Sequence, residues 1–119
     1  DGKLKEIVNE FKEAKKNTED AILKIIIETS LLTKDEIVTA SKAVDASGAE
    51  FVKTSSGHNG TGATVENIIL IKNAVGPETL IKASGGIKSL KQVQDMLNAG
   101  ANRIGTSSSI IIMEEIPMT

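Results

Sequence analysis

Two stretches 52 residues apart, ASGAEFVKTSS (46–56) and NAGANRIGTSS (98–108), carry the same residue at five positions: Gly48/Gly100, Ala49/Ala101, Thr54/Thr106, Ser55/Ser107 and Ser56/Ser108. Each places a glycine where a helix would stop, then a short strand-like run, then a Thr-Ser-Ser turn. The interval suits two strand–helix units. Repetition in steps of such units points to a (β/α) barrel of the TIM type, or to part of one.

The rest of the chain fits that frame. Leu4, Ile7, Val8, Phe11 and Ala14 recur at helical spacing, so residues 3–16 read as an amphipathic helix, closed by the polar break NTED. Strands are predicted over 22–28, 50–55, 79–84 and 102–107, each β-branched or apolar and bounded by turn residues. Thr33 with Glu36 forms a capping box for a helix through Ala46, with Gly48 as its left-handed stop. Thr64 caps a helix through Ala74, and Ser89 with Gln92 forms a second capping box for a helix through Asn98. A last short helix is expected over 109–115. Strand–helix alternation implies a parallel sheet with right-handed crossovers. With 119 residues, a single domain over 1–119 is expected.

Composition narrows the function classes. A net charge of −2 argues against a general nucleic-acid binder, and 2% aromatic residues leave no base-stacking platform. There is no cysteine and a single histidine, His58, so neither a thiolate nucleophile nor a multi-histidine metal site is available. No apolar run approaches a membrane span, and no secretory signal begins the chain, so a cytoplasmic location is expected.

In parallel α/β sheets, reactive groups gather at the carboxyl ends of the strands. Phe51, Lys53 and Ser55 share one face of the second strand, and Leu80, Lys82 and Ser84 one face of the third. If both faces point into a barrel, the two lysines are neighbours. Paired ammonium groups in a desolvated pocket oppose each other's charge, which lowers one pKa. The free amine that results attacks carbonyls; Lys53 is read as that amine, with Lys82 as the cause. The plainer alternative is that either lysine snorkels outward to solvent. SGG (84–86) and GTSSS (105–109) each lead into a helix, and adjacent turns of this kind can hold a phosphate on backbone N–H groups. The alternative is that the glycines only make tight turns and the serines only cap helices. Glu28, at a strand end, either joins a polar network in the site or caps the next turn. His58 reads as a solvated loop histidine, with contact to a phosphate as its other possibility.

The segments LKIIIETSLLTKDEI, GAEFVKTSSGHNGTGAT and IKASGGIKSLKQVQDMLNAGANRIGTSSS resemble the carboxyl-terminal part of deoxyribose-phosphate aldolases. The resemblance runs from about Leu23 to Ser109, and FVKTS followed by KASGGI is its most specific element. It implies a class I aldolase that reversibly cleaves 2-deoxyribose 5-phosphate to glyceraldehyde 3-phosphate and acetaldehyde, with no metal or organic cofactor. It implies Lys53 as the Schiff-base residue, Lys82 as its partner in proton transfer and Lys24 as a further active-site lysine. It also implies a phosphate site at Gly57, Gly85, Gly86, Gly105, Ser107 and Ser108. The family's barrel has eight strands and roughly twice this length. This chain matches the last four strands, and nothing in it matches the aspartate that the first half contributes. Four parallel strands leave two unpaired edges, so pairing into a homo-oligomer, or with a complementary half-barrel, is expected.

Overall fold

A computed structural model of the chain describes residues 2–16, 22–57, 60–107 and 109–115. The NTED break, His58 and Ser108 lie outside the described residues. Helix α1 (Gly2–Lys16) precedes strand β1 (Lys24–Ile26), a 3₁₀ turn (Thr29–Leu31) and helix α2 (Lys34–Ser47). Three more strand–helix units follow: β2 (Phe51–Lys53) with α3 (Val65–Ala74), β3 (Leu80–Ser84) with α4 (Leu90–Ala99), and β4 (Arg103–Gly105) with α5 (Ser109–Glu114).

The four strands form one parallel sheet in the order β1-β2-β3-β4. Each crossover moves one strand along in the same direction, the winding of a barrel rather than of a doubly wound sheet. Consecutive helices α1 to α4 pack side by side. Alternation sends Ile25, Val52, Ile81, Ala83 and Ile104 to the helix-covered face, where they join Ile37, Val44, Ile68, Ile71 and Met96 in the core. Of these, Val44, Val52, Ile68, Ile71, Ile81 and Ala83 are fully closed to solvent. The other face carries Lys24, Lys53, Lys82 and Arg103 around the buried ring of Phe51.

The helix boundaries follow local chemistry. Thr33 and Glu36 make a reciprocal capping box, and Gly48 ends α2 at φ 83°. Thr64 Oγ1 accepts from Asn67 N–H at 3.1 Å to start α3. The second expected capping box is different. Ser89 Oγ accepts from Gln92 N–H, but Gln92 Oε1 reaches back to the N–H of Lys88, at 2.7 Å, not to that of Ser89. The strands are shorter than predicted, because regular pairing gives way to single hydrogen bonds at their ends. Phe51 N–H donates to Leu23 O at 3.2 Å, Thr29 N–H to Thr54 O at 2.9 Å, and Thr54 N–H to Lys82 O at 3.1 Å.

Two carboxylates tie the layers together. Glu50 accepts from Leu23 N–H at 2.8 Å and pairs with Lys15, which fixes α1 to the start of β1 and β2. Asp45 accepts from Gly76 N–H at 3.1 Å and from Thr79 Oγ1 at 2.6 Å, which fixes α2 to the loop entering β3. No described helix is long and apolar enough to cross a membrane.

Candidate active site

The carboxyl ends of β2, β3 and β4 surround a cavity of about 400 Å³. Of the residues expected at the site, Lys53, Gly57, Gly85, Gly86, Gly105 and Ser107 line it. Lys82 does not line it, but stands directly beside Lys53, since the two are register partners across β2 and β3. Lys24 is further off: it pairs with Phe51 across β1 and β2, with Nζ 6.0 Å from the ring centroid. Arg103 approaches the same ring, its Cζ 4.8 Å from the centroid. The ring thus lies between two cations, a favourable use of its negative face.

Four cations share this face. The described ion pairs, Lys15–Glu50, Lys34–Glu66 and Lys91–Asp95, all lie elsewhere, so among the described residues no carboxylate neutralises it. The effect falls on Lys82. Burial first, and then the charges of Lys24, Lys53 and Arg103, hold its amine below the ordinary lysine pKa of about 10.5. Its stem is held in place by what β4 lacks. A Cβ on Gly105 would stand 3.0 Å from Lys82 Cε and 3.2 Å from Ser84 Oγ.

The glycine turn after β3 is built against the β2–α3 loop. Gly85 has φ 87° and Gly62 has φ 81°, and a Cβ on Gly62 would come within 2.5 Å of the Gly85 carbonyl. Only two bare backbones fit at that distance. Ala63 N–H donates to both Ser84 O (2.9 Å) and Gly85 O (3.2 Å), closing the β2–α3 loop onto the β3–α4 turn. Gly85 therefore makes a tight contact with Gly62 as well as a cavity wall.

The repeated threonines have a shared role. Buried Thr54 donates from Oγ1 to Ser84 O at 3.0 Å and accepts from Ser84 N–H at 3.1 Å. Thr106 donates from Oγ1 to Ile87 O at 2.5 Å. Both weld their own strand end to the exit of β3, one from each side.

Five further residues line the cavity: Ser84 and Thr106 fall inside the predicted SGG and GTSSS turns and Ser56 inside the repeat, while Ile87 and Lys88 were not singled out from the sequence. Lys88 had a signal, as a cation two residues beyond the glycine pair at the approach to a helix. The side chain of Ser84 is buried, and among the described residues its Oγ has no hydrogen-bond partner. Glu28 lies just outside the cavity. Its carboxylate accepts from Ser56 N–H at 2.6 Å and from Ser56 Oγ at 2.7 Å. It is the one described non-glycine residue with positive φ, at 41°, a conformation that costs on the order of 1–3 kcal/mol.

The family model for DeoC/LacD family aldolases matches residues 1–110. The chain belongs to this aldolase family. It is 48% identical over 114 residues to the deoxyribose-phosphate aldolase of Mycoplasmopsis pulmonis, covering 96% of this chain and 52% of that protein. It is 45% identical to deoxyribose-phosphate aldolase 1 of Staphylococcus aureus over the same share of each. A solved aldolase superposes with a TM-score of 0.86 at 43% identity, covering 96% of this chain and 52% of the other. The deoxyribose phosphate aldolase of Aeropyrum pernix, described as a tetramer, superposes at 0.81 with 29% identity, over 90% and 47%. The chain thus spans about half the length of the aldolases it matches, and its four strand–helix units are of their barrel type.

Proposed function

We propose that this chain carries the Schiff-base half of a deoxyribose-phosphate aldolase site, with 2-deoxyribose 5-phosphate as substrate, as in the aldolases it resembles. The observation that supports it most is the placement of Lys53. This lysine lines the same cavity as the turns bearing Gly57, Gly85, Gly86, Gly105 and Ser107. A lysine and glycine-rich turns around one cavity suit a short carbonyl compound with a terminal phosphate.

In the proposed reaction Lys53 Nζ adds to the aldehyde carbon of the open-chain sugar, and loss of water leaves an iminium. The bond between C2 and C3 then breaks. Its electron pair passes into an enamine on the lysine side, while the C3 hydroxyl gives up its proton and becomes the aldehyde of glyceraldehyde 3-phosphate. Protonation of the enamine at C2 and hydrolysis release acetaldehyde and restore the amine. Lys82 is the proton carrier beside it, because its lowered pKa lets the amine give and take a proton closer to neutrality than an ordinary lysine. Lys24 supports the site from below through its charge, and Lys88 meets the phosphate. The residues use no metal or organic cofactor.

Trapping with acetaldehyde and borohydride tests this directly. The expected result is a single two-carbon adduct on Lys53 that is absent from Lys53→Ala. A native chain that takes up no adduct would sink the reading.

A second reading is favoured by the share of its relatives that the chain spans: binding of a sugar phosphate at the glycine turns without turnover. It predicts phosphate binding that Gly86→Asp or Ser107→Asp weakens, with no acetaldehyde released. In both readings the open sheet edges at β1 and β4 are closed by a second copy or by a complementary half-barrel.

A further inference from the structure

We infer that Glu28 is a positioning residue of the cavity: its carboxylate latches the Ser56–Gly57 turn to the end of β1, so that the turn forms a cavity wall.

The side chain is not spent locally. Glu28 stands at the start of the 3₁₀ turn Thr29–Leu31, yet makes no side-chain cap bond there. Instead it crosses to the next strand's exit and takes both the N–H and the hydroxyl of Ser56. Nor is the latch needed to hold the strands together. On one side of Glu28, Ile27 N–H donates to Lys53 O at 3.0 Å; on the other, Thr29 N–H donates to Thr54 O at 2.9 Å. The pairing of β1 with β2 is therefore secured on both flanks of Glu28. What the carboxylate adds is the direction of the chain after Ser55. Ser56 and Gly57 line the cavity, and Lys53 lies three residues upstream.

The backbone supports the same assignment. Glu28 is left-handed at φ 41° and ψ 72°, where glycine would sit without strain. A glycine would keep the local turn and lose the latch. Strained non-glycine residues that persist in a fold belong where the side chain earns its place in a site.

The latch is read from geometry alone. Its meaning for catalysis rests on the aldolase reading, so the test carries one readout for each. Parent, Glu28→Gly and Glu28→Gln chains would be compared by thermal melting, by amide exchange at Ser56 and Gly57, and by binding of inorganic phosphate. Glu28→Gly is expected to melt near the parent temperature, since relief of the left-handed strain offsets the lost bonds. Its Ser56 amide should exchange roughly tenfold faster and its phosphate affinity fall roughly tenfold, the scale of one bond to a charged group. Glu28→Gln, which keeps an acceptor oxygen, should recover most of both. Parent-like exchange and affinity in Glu28→Gly would overturn the inference, as would its unfolding, which would make Glu28 a purely structural residue. If the parent itself binds no phosphate, the reading of the turns as an anion site fails, and the exchange rates still decide the latch.

Discussion

Lys82 and Gly105 illustrate how much of this site depends on what a single position withholds. The sequence pattern places two lysines on adjacent strands and reads Lys53 as the lowered amine, with Lys82 as the cause. In the folded chain the lowered amine is Lys82, through burial and then through Lys24, Lys53 and Arg103. Its folded pKa lies below the ordinary value of about 10.5, so the folded state binds that proton less readily than the unfolded chain. The penalty is present in full below the folded pKa and disappears as pH rises past the unfolded value. Lys82→Met should therefore melt higher than the parent at neutral pH, by ~1 kcal/mol in unfolding free energy, while losing the proposed proton carrier. That advantage should shrink between the lowered pKa and about 10.5, as melts across the range would report. Gly105→Ala probes the same amine by crowding. The added methyl crowds the flexible Lys82 Cε at 3.0 Å and the buried Ser84 Oγ and Cβ at 3.2 and 3.3 Å, so the melting temperature should fall modestly. Under the proposed aldolase reading, the displaced amine should cut acetaldehyde release roughly 10- to 100-fold, the scale of a misplacement near 1 Å.

At the scale of the elements, the caps and the alternation were legible because their chemistry is local. Thr33, Thr64 and Gly48 act through neighbours three or four residues away, which a sequence displays directly. The same holds for the faces of β2 and β3, where alternation put Lys53 beside Lys82. What could not be read are bonds between elements distant in sequence. Thr54 and Thr106 repeat in the sequence, but their shared role as welds onto β3 exists only once the strands are side by side. The Glu28 latch spans 28 residues and has no periodicity to betray it. Glu50 is another such bond. Its carboxyl is held below the ordinary value of about 4.5, first by the Leu23 N–H and then by Lys15. That stabilisation is complete above the ordinary value and is lost as pH falls through the lowered one. Glu50→Gln should therefore show a flatter stability profile than the parent between pH 4.5 and more acidic solution, measured by urea midpoints at each pH.

For the whole molecule, the governing fact is an open sheet with a cationic inner face. Two edges ask for partners, and four cations without a carboxylate among the described residues oppose bringing two such faces together. The proposed self-association should therefore strengthen with inorganic phosphate and with ionic strength, because anions screen the repulsion. Size-exclusion chromatography on the order of tens of micromolar, with and without phosphate, checks this through the concentration dependence of assembly. A monomer under both conditions would count against pairing. The contact between Gly62 and Gly85 has a consequence of another kind. Where side chains pack, a second substitution can repair the damage of a first, so a lineage can wander through pairs of changes. Two bare backbones offer nothing to trim. Neither position can drift alone, and no change at the other rescues it. A laboratory search for altered substrate preference should leave this pair untouched and spend its diversity on the residues around it.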